Sequence, residues 1–342
     1  MNLEENYPVF EFKKVTKVYE GGPLVKALDS LSFKVYEGDT FGIIGEKGAG
    51  KSTLIRLFTR IEESTFGSIR FRGKKLSEMS PEEIREMRRR AATIISSLGL
   101  MGHCTVRQNL ELAAKLFKVS PAETEALISE VMEKCGISAF ENVLTSELSP
   151  ADKVLTAVAR ALLGKPECLI FDEADAPLSD DETDRVAEII KKLKKENSLT
   201  LIIATGKMRI VESLCNHAMV LETGHLVECG GVLDIIKSPS SAAAKKLVYP
   251  ENTPLEQYDS QGKRCVRIAF DGTAAKEPVI AALVEETGEK VSILCANTKS
   301  IGGIGFGQMI VELPDDTIGA QKVINYFKQK GVFVEVVKQW QL

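Results

Sequence analysis

The run Gly45-Glu46-Lys47-Gly48-Ala49-Gly50-Lys51-Ser52 carries the spacing G-x-x-x-x-G-K-S. That spacing builds a phosphate cradle. Its glycines let the backbone curl around an anion and turn N–H groups inward. Lys51 can reach the β- and γ-phosphates of a nucleoside triphosphate, and Ser52 can place its hydroxyl on Mg²⁺. Thr53 follows as a further nucleotide-side candidate. A buried strand over Thr40–Ile44 and a helix over Lys51–Arg60 flank the loop, so the helix points its positive end at the phosphates. A Gly-rich turn that matched by chance would not need those flanks.

A second chemical element lies far downstream. Leu169-Ile170-Phe171-Asp172-Glu173 reads as a buried strand ending in two carboxylates. Beside a phosphate loop, Asp172 can hold the water shell of Mg²⁺. Glu173 can orient or deprotonate an attacking water, which makes it the catalytic candidate. Many strands end this way, so the pair carries weight only because the loop precedes it.

The elements that must position these residues alternate in type. Val9–Val15, Leu31–Val35 and Gly67–Arg72 read as strands, and buried strands return at Cys168–Phe171, Leu199–Thr205 and Ala218–Glu222. Ser80-Pro81-Glu82-Glu83 has the form of a capping box with Pro at the first helical position. Ser120-Pro121-Ala122-Glu123 repeats it and starts a helix ending near Gly136. Thr105–Gly164 is helical in pattern almost throughout. The expectation is an α/β phosphate-loop domain over residues 1–248, with a helical subdomain at about 100–164. Polar residues and prolines dominate Ser238–Gly262, apart from a short Ala-rich helix near Ala242–Val248, and mark a linker at 249–262. Residues 263–342 follow as strand Cys265–Phe270, helix Glu277–Thr287, strands Val291–Ala296 and Phe306–Leu313, helix Ile318–Gln329 and strand Val332–Val337. That βαββαβ order predicts a small α+β, ferredoxin-like domain. It carries no acid/base pair, so a regulatory or ligand-sensing role fits better than a second enzyme.

Bulk composition narrows the partners. A chain of 342 residues predicts two domains. Its net charge of −4 gives no electrostatic case for nucleic acid. The basic run Arg85–Arg90 reads as a solvated helix face. Seven scattered cysteines, an odd number without C-x-x-C, fit a reducing cytosol. No apolar run approaches the ~20 residues of a membrane span. Any membrane role must come through a partner.

Several segments resemble the ATP-binding subunits of ABC transporters, and among them those of bacterial methionine importers. They are Val15-Thr16-Lys17-Val18-Tyr19-Glu20-Gly21-Gly22, Phe41-Gly42-Ile43-Ile44-Gly45, Pro278-Val279-Ile280, Val291-Ser292-Ile293-Leu294 and Gly331-Val332-Phe333-Val334-Glu335-Val336. The last three are similar to the NIL domain. The resemblance implies ATP and Mg²⁺ as ligands, with Tyr19 stacking on adenine; an edge tyrosine with no such role is the other reading. It also implies a head-to-tail dimer with a second ATP-binding subunit, identical or not. Each ATP would face the partner's signature helix, and the dimer would dock on an integral-membrane permease at the cytoplasmic face. The NIL domain would take an amino-acid effector near Ser292, where relatives often carry Asn. A tail that only dimerises is the competing reading.

Other positions depart from the family. The signature L-S-G-G-Q is replaced by Leu148-Ser149-Pro150-Ala151-Asp152. Pro150 has no N–H to offer a phosphate, Ala151 adds a Cβ, and Asp152 brings negative charge. Ser149 as cap, Pro150 first and Asp152 in the first turn still make a good helix start. Ser96 aligns with the family's bridging Gln, Ser179 with the aspartate of the following loop, and Gly206 with the switch His. His217 reads as structural. Losing one preorganised group that stabilises transition-state charge lowers the rate by ~10²–10³, and losses within one unit do not add. The expectation is ATP binding with impaired hydrolysis in an importer subunit. The alternative is a non-catalytic ATP-binding regulator or sensor. The retained Glu173 argues against a complete loss of turnover.

Overall fold

The computed structural model describes residues 8–20, 24–248, 264–271, 278–301 and 304–336. The expected linker at 249–262 lies outside them, as do Glu277 and Val337. The chain divides into two compact units, Met1–Val232 and Leu233–Leu342.

In the first unit the elements run β1 (Phe10–Tyr19), β2 (Val25–Val35), β3 (Thr40–Ile44), α1 (Lys51–Phe58), β4 (Phe66–Phe71), β5 (Lys74–Lys75), α2 (Pro81–Arg90) and β6 (Ala91–Ile95). Then come α3 (Val106–Leu116), α4 (Pro121–Lys134), α5 (Pro150–Leu162), β7 (Cys168–Asp172), α6 (Asp180–Asn197), β8 (Thr200–Thr205), α7 (Met208–Leu214), β9 (His217–Glu222) and β10 (His225–Gly231). Two sheets form. One is antiparallel in the order β2-β1-β4-β5; the other has the order β10-β9-β3-β8-β7-β6. In the second, β9, β3, β8, β7 and β6 are parallel, and β10 closes the edge antiparallel.

The helix that carries the phosphate loop is held between these sheets by aromatic packing. Phe58, at the end of α1, lies edge-on to Phe10 at 4.9 Å and against Phe12 at 4.5 Å, both on β1. Phe12 stacks on Phe33 of β2 at 4.6 Å. All four belong to one buried core with Leu54 and Leu57. Burying each such side chain contributes about 1.5–3 kcal/mol, so α1 has little freedom to roll.

The Ser80 box forms as expected: Ser80 accepts from Glu83 N, and the Glu83 carboxylate accepts from Ser80 N. The one at Ser120 does not. Its hydroxyl instead donates to the Glu123 carboxylate at 2.7 Å and accepts no backbone N–H. Pro121 at the first helical position starts α4 there. Strands β5, β6 and β10 have no counterpart among the strands expected from sequence. The run Ala91-Ala92-Thr93-Ile94-Ile95 is too short and too uniformly apolar for periodicity to tell strand from helix.

The second unit contains α8 (Val232–Lys237, from Leu233), α9 (Ala242–Val248), β11 (Cys265–Asp271), α10 (Val279–Thr287), β12 (Ser292–Ile301), β13 (Ile304–Glu312), α11 (Thr317–Gln329) and β14 (Phe333–Val336). Its sheet has the order β12-β13-β11-β14 and is antiparallel throughout, the ferredoxin-like arrangement. Val266, Ile268 and Phe270 of β11 pack one face against Leu283 of α10 and Val323 and Phe327 of α11. Arg267, Gln308 and Glu335 lie on the opposite face. Arg267 is 3% exposed. Its guanidinium donates to the carbonyls of Ile236 (2.8 Å) and Lys237 (3.3 Å) and to Gln308 Oε1 (3.1 Å), and it pairs with Glu335 at 3.6 Å. A cation thus sits on the last carbonyls of α8, where helix dipole and unpaired acceptors both favour it. Glu335 also takes Lys245 of α9 at 2.6 Å.

Candidate nucleotide-binding site

Register places four loops at one edge of the parallel sheet. Ile44 pairs with Thr205, Ala204 with Asp172, and Asp172 with Ile95. The next residues, Gly45, Gly206, Glu173 and Ser96, therefore leave the carboxyl ends of adjacent strands together. In open α/β sheets this is where ligands bind.

The loop closes around its own lysine. Gly48 and Gly50 have φ of 87° and 104°, the left-handed region that only glycine enters freely. A Cβ on Gly50 would come within 2.6 Å of Ala27 O, so the cradle is also tight. Ala49 is buried, whereas Glu46 and Lys47 are exposed. Lys51 is 3% exposed and donates to the carbonyls of Gly45 (2.6 Å) and Glu46 (2.9 Å). Its third partner is Glu173 Oε1 at 3.0 Å. An ammonium has three donors, so a phosphate arriving here must displace one of these contacts.

Ser52 Oγ donates to Asp172 Oδ1 at 2.9 Å. Hydroxyl and carboxylate make an oxygen pair suited to a hard cation, and they are the groups that would hold Mg²⁺ beside nucleotide phosphates. Burial pushes the Asp172 carboxyl above its usual range, against the pull of Ser52; the charge on Glu173 adds to the rise. A cation there would remove that penalty. Glu173 has a φ of 50°, left-handed and unusual for this residue type. Tyr19 stands at the end of β1, with its hydroxyl on Glu62 Oε2 at 2.6 Å and 3.4 Å from Thr53 Oγ1. Burial, together with Glu62, raises its phenol above the ordinary value. Lys17 Nζ lies 5.0 Å from the ring centroid.

The profile of the ABC transporter family matches residues 28–176, and that of the NIL domain matches 264–336. A methionine import ATP-binding protein (MetN 2) of Acinetobacter baylyi is 32% identical over 334 residues, covering 95% of this chain and 98% of its own. One from Listeria monocytogenes (MetN 1) is 33% identical over 337 residues, covering 96% and 99%. The chain belongs to the ABC transporter ATP-binding subunits. Among solved structures, cbiO1 from Clostridium perfringens covers 74% of the chain with a TM-score of 0.63, and the dimeric ABC cassette MJ0796 covers 65% with 0.59. Both are 23% identical and speak for the fold.

Ser149 caps α5 and Pro150 is its first residue. Asp152 is 5% exposed. Its carboxylate accepts from Arg185 of α6 at 2.8 Å and from Ser149 Oγ at 2.6 Å. Arg185 comes from another helix, so this ion pair could not be read from the sequence around Asp152. Asp152 N donates to Ser149 Oγ at 3.1 Å, and Ala151 N to Glu182 Oε1 at 3.4 Å. Ser179 caps α6 through a closed box with Glu182. Ser96 lies in an exposed turn one residue beyond the Ile95–Asp172 pair. Gly206 faces the phosphate loop, and a Cβ there would lie 3.9 Å from Gly45 O, in ordinary contact. His217 pairs with Phe41 near the start of β3, away from the loop edge, and its Nδ1 is 3.4 Å from Asp39.

Sequence reasoning missed a connection beside Glu173. Lys207 Nζ donates to the carbonyls of Asp175 (3.0 Å) and Leu178 (2.6 Å), while Thr205 Oγ1 donates to Asp175 Oδ2 at 2.7 Å. Burial raises the Asp175 carboxyl above its usual range. The only signal in the chain is a Lys next to Gly206 and an acid two residues after Glu173. Among the described residues, no helix is long and apolar enough to cross a membrane.

Proposed function

We propose that this chain is the ATP-binding subunit of an importer for methionine or a related amino acid, with weak hydrolysis of its own. It would bind ATP with Mg²⁺, pair with a second ATP-binding subunit, and dock on an integral-membrane permease at the cytoplasmic face. Supporting the solute class are the relatives named as methionine import proteins, which align along 95–96% of the chain. The impaired turnover rests on one observation: the start of α5 holds back its backbone donors. Pro150 has none, the N–H of Ala151 is on Glu182, and that of Asp152 is on Ser149. A helix N-terminus attracts phosphate through free N–H groups, and here the first turn has its own acceptors.

The test is steady-state ATPase on the purified full chain, alone and with Glu173→Gln. The expected result is little difference between the two, alongside MgATP binding that falls at least ~10–100-fold in Lys51→Ala, the scale of losing a charged hydrogen bond. Robust turnover that disappears in Glu173→Gln would overturn the weak-hydrolysis reading and leave an ordinary ATPase subunit. For the C-terminal effector near Ser292, calorimetric titration of the full chain with methionine should give saturable binding. No heat would favour a tail that only dimerises.

A further inference from the structure

Glu173 is the catalytic candidate of the site, and its backbone is held in an unusual conformation. We infer that Lys207, acting with Asp175 and Thr205, is a positioning residue that presets Glu173 against Lys51.

The turn after β7 is tied together internally and then tied down. Glu173 N donates to Ala204 O at 2.9 Å, Ala176 N to Glu173 O at 3.1 Å, and Leu178 N to Asp175 O at 3.1 Å. Lys207 reaches across from the start of α7 and binds the carbonyls at both ends of that second turn, Asp175 and Leu178. Asp175 supplies the nearby charge; it is 7% exposed and receives the Thr205 hydroxyl, which itself accepts from Lys207 N at 2.9 Å. Thr205 is fully buried. Segments 173–178 and 205–207 thus form one closed loop of hydrogen bonds. A buried network whose members are all satisfied rigidifies the backbone that carries it.

That rigidity has a direction. It keeps Glu173 at a φ of 50° with Oε1 3.0 Å from Lys51 Nζ. Lys51 is the ammonium a nucleotide needs, so Glu173 competes with the incoming phosphate for it. Lys207 therefore acts on nucleotide affinity through Glu173, with its ammonium bound to the carbonyls of the turn. Its ammonium is engaged by the turn, so it does not replace the missing switch side chain next to Gly206.

This inference rests on the nucleotide-binding reading of the loop, and the test separates the two. MgATP affinity of the full chain is measured calorimetrically for the wild type, Lys207→Met, Glu173→Gln and the double variant. Amide hydrogen exchange is followed at Ala176 and Leu178. In Lys207→Met, MgATP should bind at least ~3-fold more tightly, and the same change in the Glu173→Gln background should shift affinity less than ~1.5-fold, the pattern of coupled residues. Exchange at both amides should quicken by about 10-fold, and Lys207→Arg, which can still donate to two carbonyls, should restore both readouts. An equal affinity shift in both backgrounds would overturn the inference, as would unchanged exchange. If the wild type bound no MgATP, the nucleotide reading would fail, and the exchange arm would still decide whether Lys207 holds the turn.

Discussion

Asp172 ends β7 with its carboxylate on the Ser52 hydroxyl. Its carboxyl is raised chiefly by burial. A carboxyl whose folded pKa lies above its unfolded value favours the native state most when protonated. Its contribution is complete below the ordinary carboxylate range and is lost as pH rises through the raised value. Once ionised, the carboxylate therefore costs the folded state stability. Asp172→Asn should raise the melting temperature by roughly 1–3 °C while weakening MgATP binding. The gain should shrink as pH falls toward about 4, which thermal melts over a pH series would read. Asp175 has the same sign. The spacing of the phosphate loop and of Asp172-Glu173 made these residues legible, because their chemistry depends on local backbone geometry. The fate of Asp152 was not legible, since Arg185 comes from another helix.

At the scale of elements, the two Ser-Pro-x-Glu starts look alike in sequence and differ in space. Ser80 satisfies an orphan N–H of α2, and Ser120 satisfies none in α4. Ser80→Ala should therefore lower stability by about 1 kcal/mol, whereas Ser120→Ala should cost no more than a few tenths. Urea titrations of the two variants would check the difference; equal losses would mean that the hydroxyl of Ser120 matters in another way. Strong patterns such as β7, β8 and the βαββαβ order could be read directly from periodicity and turn residues. Strand β6 could not, because a short parallel strand buried on both faces shows no alternation. It is nevertheless the strand that delivers Ser96 to the site.

The molecule as a whole consists of two units with separate cores. A ligand of the phosphate loop should stabilise only the first. At a concentration of about 100 times Kd, MgATP adds about 2.7 kcal/mol to the unit that binds it. Calorimetric scans should accordingly show one transition that moves upward with MgATP and one that does not. A single transition moving as a whole would mean that the units unfold together.

The grip of Arg267 on the last carbonyls of α8 bears on how the chain can be cut. A fragment starting near residue 263 follows the compositional boundary but discards α8 and α9, the acceptors of Arg267 and the Lys245 partner of Glu335. Such a piece would expose a guanidinium built for burial, along with the strand face around it, and should aggregate or unfold at lower urea than a piece that begins ahead of Val232. For anyone dissecting this protein by limited proteolysis or gene truncation, the durable C-terminal piece should start at the end of β10, about thirty residues before its first strand.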